Sequence, residues 1–362
     1  MHVLHSMNCG GVEALLMNLL RCADRDKLRF DFLVHVPDEM YYEPELRRLG
    51  CEVYRLPALR QLGPVRYARA LLDFFRTHPE MQIVHSHLET TTGLILRQAR
   101  RAGVPVRIAH SHNTRFPRAG PRALPENLLK QWCRRWVVPC ATHRLACSRE
   151  AARWLFGPAE AEIFPNGVDT ARFRFSPEMR ERCRAERGIP PEARVLLHVG
   201  RFQAQKNHSF LLGIWADSAP EHPDDWLLLL GDGELRPETE ALAQGLPGAD
   251  RICFLGQRSD VPAWLSAADV FLLPSLFEGL PVSLAEAQAA GLPCLVSDRV
   301  PLDAFASRVR QIPLGAAAPW AAALAELRPA QPAERAAAPE AVAALGYDIR
   351  ASLRRLEEIY SA

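Results

Sequence analysis

Short apolar runs alternate along the chain with longer stretches whose apolar residues recur every three or four positions. The first pattern fits strands buried on both faces, and the second fits amphipathic helices. Strands are predicted at 1–5, 30–36, 52–56, 82–87 and 106–110, with helices at 12–21, 43–49, 65–77 and 92–101. The rhythm then restarts. Strands at 194–200, 226–231, 252–255, 270–274 and 293–297 alternate with helices at 207–217, 237–244, 261–267 and 281–290. Such alternation predicts βαβ units and parallel sheets, so two series predict two α/β lobes. The turn chemistry of Pro165-Asn166-Gly167 marks a boundary. The domains expected are 1–164 and 165–345, followed by an amphipathic helix within 346–362. Residues 178–186 read as a charged surface helix, and the Ala/Pro-rich stretch 316–339 gives no periodic signal.

Composition narrows the function. The chain has 362 residues, 48% of them hydrophobic, enough for two cores. A net charge of +2 gives no reason to expect nucleic acid as a partner. The first residues lack the charged and apolar segments of a secretory leader. The longest apolar runs, such as 227–230 and 270–274, fall far short of the ~20 residues of a membrane span. Nine cysteines without a CxxC pair suggest reduced thiols, and a cytoplasmic location is expected.

Ligands of open parallel sheets bind beyond the carboxyl ends of the strands, and the chemistry-bearing residues cluster there. In the second half, Gly200 through Asn207 link a strand to a helix. Gly200 permits close backbone approach. Arg201 and Lys206 place two cations near a helix start that already favours an anion, a combination suited to a diphosphate. Gly231-Asp232-Gly233-Glu234 reads as a turn. The most informative segment runs from Pro274 to Ala287. Glu278 ends a loop, Gly279 frees the backbone, and Pro281 can start a helix. Glu286 stands inside a mostly apolar helical run, where a lone carboxylate needs a polar partner such as a ribose diol.

In the first half, Gly10-Gly11 follow the first strand, and two His-x-His pairs, His85/His87 and His110/His112, follow later ones. Imidazole is a common metal ligand, yet no carboxylate or cysteine stands at ligand spacing beside either pair, so no metal is expected. The segment 115–138 carries Arg115, Arg118, Arg122, Lys130, Arg134 and Arg135 among Phe116, Trp132 and Trp136. It reads either as a basic helix for an anionic membrane surface or as an amphipathic helix packed on its own domain.

The segment from Glu278 to Glu286 resembles the E-x7-E motif of family-4 retaining glycosyltransferases, enzymes of the GT-B fold. The likeness extends to Gly200-Arg201 with Lys206-Asn207, Gly231-Asp232-Gly233, Phe254-Leu255-Gly256, Ala268-Asp269-Val270 and Pro165 through Asp169. The first half, with His110 through Thr114, is most similar to transferases that build bacterial capsules and exopolysaccharides. The resemblance implies two Rossmann-like domains facing across a cleft, with the terminal helix returning to the first. It implies a nucleotide-sugar donor, UDP- or GDP-linked, and a glycan or polyprenyl-diphosphate-linked acceptor. No cofactor or metal is implied.

Carried onto this chain, Arg201 and Lys206 hold the donor diphosphate and Glu286 the ribose. Glu278 contacts the transferred sugar, and the stretch Gly279, Leu280, Pro281 and Val282, whose non-proline members carry backbone N–H groups, helps hold phosphate and sugar. Arg258 frames the nucleobase, while Gly200, Gly10 and Gly11 lie near the phosphates. His112, with His110 as second choice, is the active-site histidine, and His87, His110 and Asn113 are candidate sugar or acceptor contacts. The competing readings are another GT-B enzyme, such as an epimerase, and a non-catalytic nucleotide-sugar-binding scaffold.

Overall fold

The apolar runs become strands because β-branched and leucine-rich segments pack well when both sheet faces are covered. The computed structural model describes residues 1–8, 10–114, 124–279, 281–302 and 308–361. Seven parallel strands form the first sheet: β1 (His2–Val3), β2 (Phe32–Val34), β3 (Val53–Arg55), β4 (Ile83–Ser86), β5 (Val106–Ser111), β6 (His143–Ala146) and β7 (Glu162–Ile163). Their order is β3-β2-β1-β4-β5-β6-β7. Six more form the second: β8 (Val195–Val199), β9 (Trp226–Leu230), β10 (Ile252–Gly256), β11 (Val270–Leu273), β12 (Cys294–Ser297) and β13 (Val309–Ile312). Their order is β10-β9-β8-β11-β12-β13. In each sheet the order reverses once, between β1 and β4 and between β8 and β11. Those switch points are where a doubly wound sheet opens a crevice for ligand.

The chain divides into two units: residues 1–166 with the chain from 352 onward, and residues 167–351. In the second, Trp215 of helix His208–Ser218 and Trp320 of helix Ala318–Glu326 share one buried cluster with Leu196, Leu229 and Leu272. The Ala/Pro-rich stretch is therefore largely helical: Pro319, Pro332 and Pro339 sit in the first turns of Ala318–Glu326, Pro332–Ala336 and Ala338–Val342, where a missing N–H does no harm, and Pro329 lies in the loop between helices. The helix Pro177–Glu186 is the charged surface helix expected at 178–186, exposed along most of its length, with Cys183 and Arg184 turned inward and Arg184 paired with Asp269 at 2.7 Å.

The strands missed by the apolar criterion, β6, β7 and β13, carry polar residues such as Arg144, Glu162, Arg310 and Gln311, and β7 and β13 lie at sheet edges. In the first unit, helix Leu59–Thr77 bends at Gly63 (φ 72°) and Pro64, ahead of the predicted start at 65. Among the described residues, no helix is long and apolar enough to cross a membrane.

Candidate active site

The switch point of the second sheet gathers the donor candidates. The loop after β8 turns through Ala204–Lys206, and Asn207 takes a left-handed conformation (φ 59°, ψ 47°) before the next helix begins. Gly200 supplies room: a Cβ there would lie 2.9 Å from His198 Nε2 and 3.2 Å from the Lys206 stem. The turn at 231–233 braces this loop. Gly200 N–H donates to Leu230 O and Phe202 N–H to Asp232 O. Gly231 has φ +134°, and a Cβ would meet Gly200 O at 2.0 Å, so only glycine fits. What reads as an ordinary turn is the support of the cation-bearing loop.

The loop after β11 is stitched to the same place. Leu276 N–H donates to Gln205 O at 2.8 Å, Gln205 Nε2 to Phe277 O at 2.9 Å, and Asn207 Nδ2 to Pro274 O at 3.2 Å. These bonds bring Lys206 Nζ to 2.7 Å from Glu278 Oε1, both side chains largely withdrawn from solvent. A buried ion pair is weak support for stability, because desolvation offsets most of the Coulomb gain. It does hold a cation and an acceptor together at the strand ends.

Gly279, Pro281 and Val282 are buried at the start of helix Val282–Ala289, Glu286 is half-buried on that helix, and Arg201 is exposed. Leu280 lies outside the described residues. Arg258, expected to frame the nucleobase, follows β10. Its guanidinium is engaged by Asp260 through two 2.8 Å contacts and stacks over Trp264.

In the first unit, Gly10 (φ −163°) caps helix Gly11–Cys22, and the Glu13 carboxylate folds over the space a Cβ would need. His110 lies within β5, whereas His112 and Asn113 lie just beyond its carboxyl end. All three histidine candidates are buried, and desolvation holds His87 and His110 well below the usual imidazole range and His112 at about 3. At neutral pH they are uncharged.

The surroundings were incompletely legible from sequence. His2 and His85 join the group, and two triples, His2/His85/His87 and His87/His110/His112, each bring ring nitrogens within 4.8 Å of one another. A carboxylate, Glu89, also stands near the pairs, bonded to backbone and polar side chains and outside both histidine triples. Glu89 accepts from His112 N–H at 2.9 Å, Asn113 Nδ2 at 3.0 Å and Ser111 Oγ at 3.3 Å. Its side chain keeps some solvent contact, yet desolvation lifts the carboxyl to about 7 against those hydrogen bonds. Glu89 also sits at φ 50°, a strained conformation for a residue with a Cβ. The signal available in the sequence was a carboxylate two residues after a strand-end histidine.

Of the basic segment, 115–123 lies outside the described residues. Beyond it, helix Leu124–Arg134 exposes Leu128 (62%) and Trp132 (38%), and Arg135 lies over the rings of Trp132 and Trp136. Cys133 and Val137 are buried, so the helix packs on its own unit and still leaves an apolar and aromatic outer face.

Residues 179–304 match the family described as glycosyl transferases group 1, and residues 10–167 match the glycosyl transferase 4-like domain. The chain is 36% identical to EpsF of Bacillus subtilis (strain 168), named as a glycosyltransferase, over all of this chain and 96% of that one. It is 31% identical to the Escherichia coli UDP-Gal:alpha-D-GlcNAc-diphosphoundecaprenol alpha-1,3-galactosyltransferase, over 66% of this chain and 64% of that one. HepE of Anabaena, solved with UDP and glucose, shares the fold with a TM-score of 0.81 at 18% identity, covering 100% and 98% of the two chains. These likenesses fit a catalytic transferase and not an epimerase or a non-catalytic scaffold. With strand ends that juxtapose cation, carboxylate and backbone donors, the chain belongs to the family-4 glycosyltransferases of the GT-B fold.

Proposed function

We propose that this enzyme transfers a hexose from a uridine-diphosphate sugar, with retention of configuration, to a lipid-linked glycan during polysaccharide assembly. The observation that carries the reading is the Lys206–Glu278 pair at the β8/β11 switch point. Lys206 and Arg201 offset the charge that develops on the departing diphosphate, the term that dominates when no protein nucleophile is used. Backbone N–H groups at the start of helix Val282–Ala289 add to that field. Glu278 accepts from the transferred sugar and Glu286 from the ribose. The leaving phosphate takes the acceptor proton, and His112 orients the sugar. With cations and a helix start on the diphosphate, the transfer runs without a divalent metal.

The choice of uridine is supported by HepE, solved with UDP and glucose, and by the E. coli relative, named for UDP-Gal and a diphosphoundecaprenol acceptor. A lipid-linked acceptor also gives the exposed Leu128/Trp132 face a role, lying against the anionic cytoplasmic leaflet.

A thermal-shift screen against UDP, GDP, ADP and CMP, with and without magnesium, tests the donor. A rise selective for UDP and indifferent to magnesium is expected. A rise that requires magnesium, or one that favours another nucleotide, would overturn the corresponding part of the reading.

A further inference from the structure

Parallel register places five histidines on one face of the first sheet. His2 of β1 lies opposite His85 of β4, and the two-residue period of β4 and β5 adds His87, His110 and His112. All five are at least 94% buried. Tyr360 of the terminal helix Ile349–Ser361 reaches the same cluster.

Their contacts form one line. His112 Nε2 lies 2.9 Å from His87 Nδ1, and His87 Nε2 lies 3.1 Å from His2 Nδ1. His2 Nε2 lies 3.4 Å from Tyr360 Oη, the longest link, and Tyr360 Oη lies 2.8 Å from His85 Nδ1. His85 Nε2 lies 3.2 Å from His110 Nδ1. The line ends on two buried nitrogens, His112 Nδ1 and His110 Nε2.

The same nitrogens have the spacing of a metal site. An ion, however, needs the lone pairs of its ligands to converge on one point. In this cluster the ring N–H directions run along the ring-to-ring contacts, which favours hydrogen bonds.

A neutral imidazole carries one N–H and one lone pair. The five rings and the phenol therefore bring six protons to five contacts. Each contact takes one proton, and the sixth sits on an end nitrogen. Choosing the end fixes every other position. If His110 Nε2 holds the proton, each ring in turn is Nε2–H; if His112 Nδ1 holds it, each is Nδ1–H. A mixed arrangement leaves two lone pairs or two N–H groups facing each other in a buried contact, which the interior penalises. Two neighbours act on the ends. Hydrogen bonding to the Phe164 backbone favours a protonated His110, and hydrogen bonding to the Asn166 side chain favours a protonated His112, so each end has a neighbour for the sixth proton.

We propose that the five histidines share a single tautomer, locked through Tyr360, so that the end of the line that holds the spare proton sets the tautomer of His112. His2, His85 and Tyr360 are thereby positioning residues for His112. The inference rests on the reading that His112 faces the reacting sugars.

The test is long-range proton–nitrogen NMR of the histidine-labelled full chain at pH 7.5, which reads each ring nitrogen separately. The expected spectrum has these five of the twelve histidines neutral and all in one tautomer. Tyr360→Phe keeps the ring and removes the link. His2 Nε2 and His85 Nδ1 then lose their shared partner, so each segment is expected to place its spare proton at its outer end, with His2, His87 and His112 as Nδ1–H and His85 and His110 as Nε2–H. Transfer activity and its pH profile should change with that switch, without a matching loss of melting temperature. Mixed tautomers in the unaltered protein would overturn the proposal, as would stoichiometric zinc retained after dialysis against ZnCl2 with ring shifts of ligated imidazole. If the tautomers behave as expected but His112→Ala transfers sugar at the normal rate, the assignment of His112 falls and the chain stands.

Discussion

Acidification from pH 7.5 to 5.5 should remove much of the stability of the first unit. His2, His85, His87, His110 and His112 are buried, and burial holds the first four well below the usual imidazole range and His112 at about 3. His35, bonded to Tyr67, is held at about 4. In the unfolded chain these groups titrate near 6.5. The unfolded state therefore binds protons that the folded state refuses. Stability is full above pH 6.5 and is lost as pH falls below it. At pH 5.5 each ring costs roughly 1–1.5 kcal/mol, and six rings cost roughly 6–9 kcal/mol. Glu89 has the opposite sign. Its folded pKa of about 7 lies above the ordinary 4.5, so folding takes up a proton as pH falls. That returns roughly 2 kcal/mol over the same interval. The net loss, about 4–7 kcal/mol, is comparable with the whole stability of a domain, ~5–15 kcal/mol. Native-state hydrogen exchange followed by mass spectrometry, corrected for intrinsic rates, reads it directly. Peptides covering β4 and β5 should lose protection steeply between pH 7 and 5.5. Peptides covering β8 and β9, where His198 and His208 are the depressed rings, should lose less. Equal loss in both, or none, would refute the premise that the cluster is buried and neutral.

Three further outcomes follow from the site. Glu286→Ala should weaken UDP binding by about 1–3 kcal/mol, the value of a lost charged hydrogen-bond partner, as measured by calorimetry; unchanged affinity would misplace the ribose. Glu278→Gln leaves Lys206 beside a neutral group in a largely buried setting. Turnover should fall by roughly 10²-fold or more at saturating donor, with the fold intact by circular dichroism. Glu89→Gln keeps the shape and removes the ionisation at about 7. The rate profile against pH should lose its limb near neutrality, and a limb that persists would assign it to another group.

How much of this could be read from the sequence depended on whether the information was local. Most of the ten strands predicted from apolar runs are buried on both faces, for example Leu227 through Leu230, whose packing leaves no choice but apolar side chains, while the edge strands β3 and β10 are only partly covered. Strand β13 escaped because an edge position lets Arg310 and Gln311 face solvent, so its composition is that of a loop. The donor candidates were legible because a strand end, a flexible glycine and a helix start lie within a dozen residues of one another, and Lys206 and Glu278 each carried that local mark. Their pairing was not legible, since it depends on β8 and β11 being neighbours across 72 positions of chain. The histidine cluster shows the same divide more sharply. The pairs His85/His87 and His110/His112 announce themselves by a two-residue period, but His2 looks like an ordinary strand residue and Tyr360 like the apolar edge of a surface helix. Only the order β1-β4-β5, and a helix that closes on the sheet from the far end of the sequence, turn six scattered residues into one hydrogen-bonded line. What a residue can donate or accept is written in its type; whether it has a choice is decided by neighbours that the chain supplies from elsewhere.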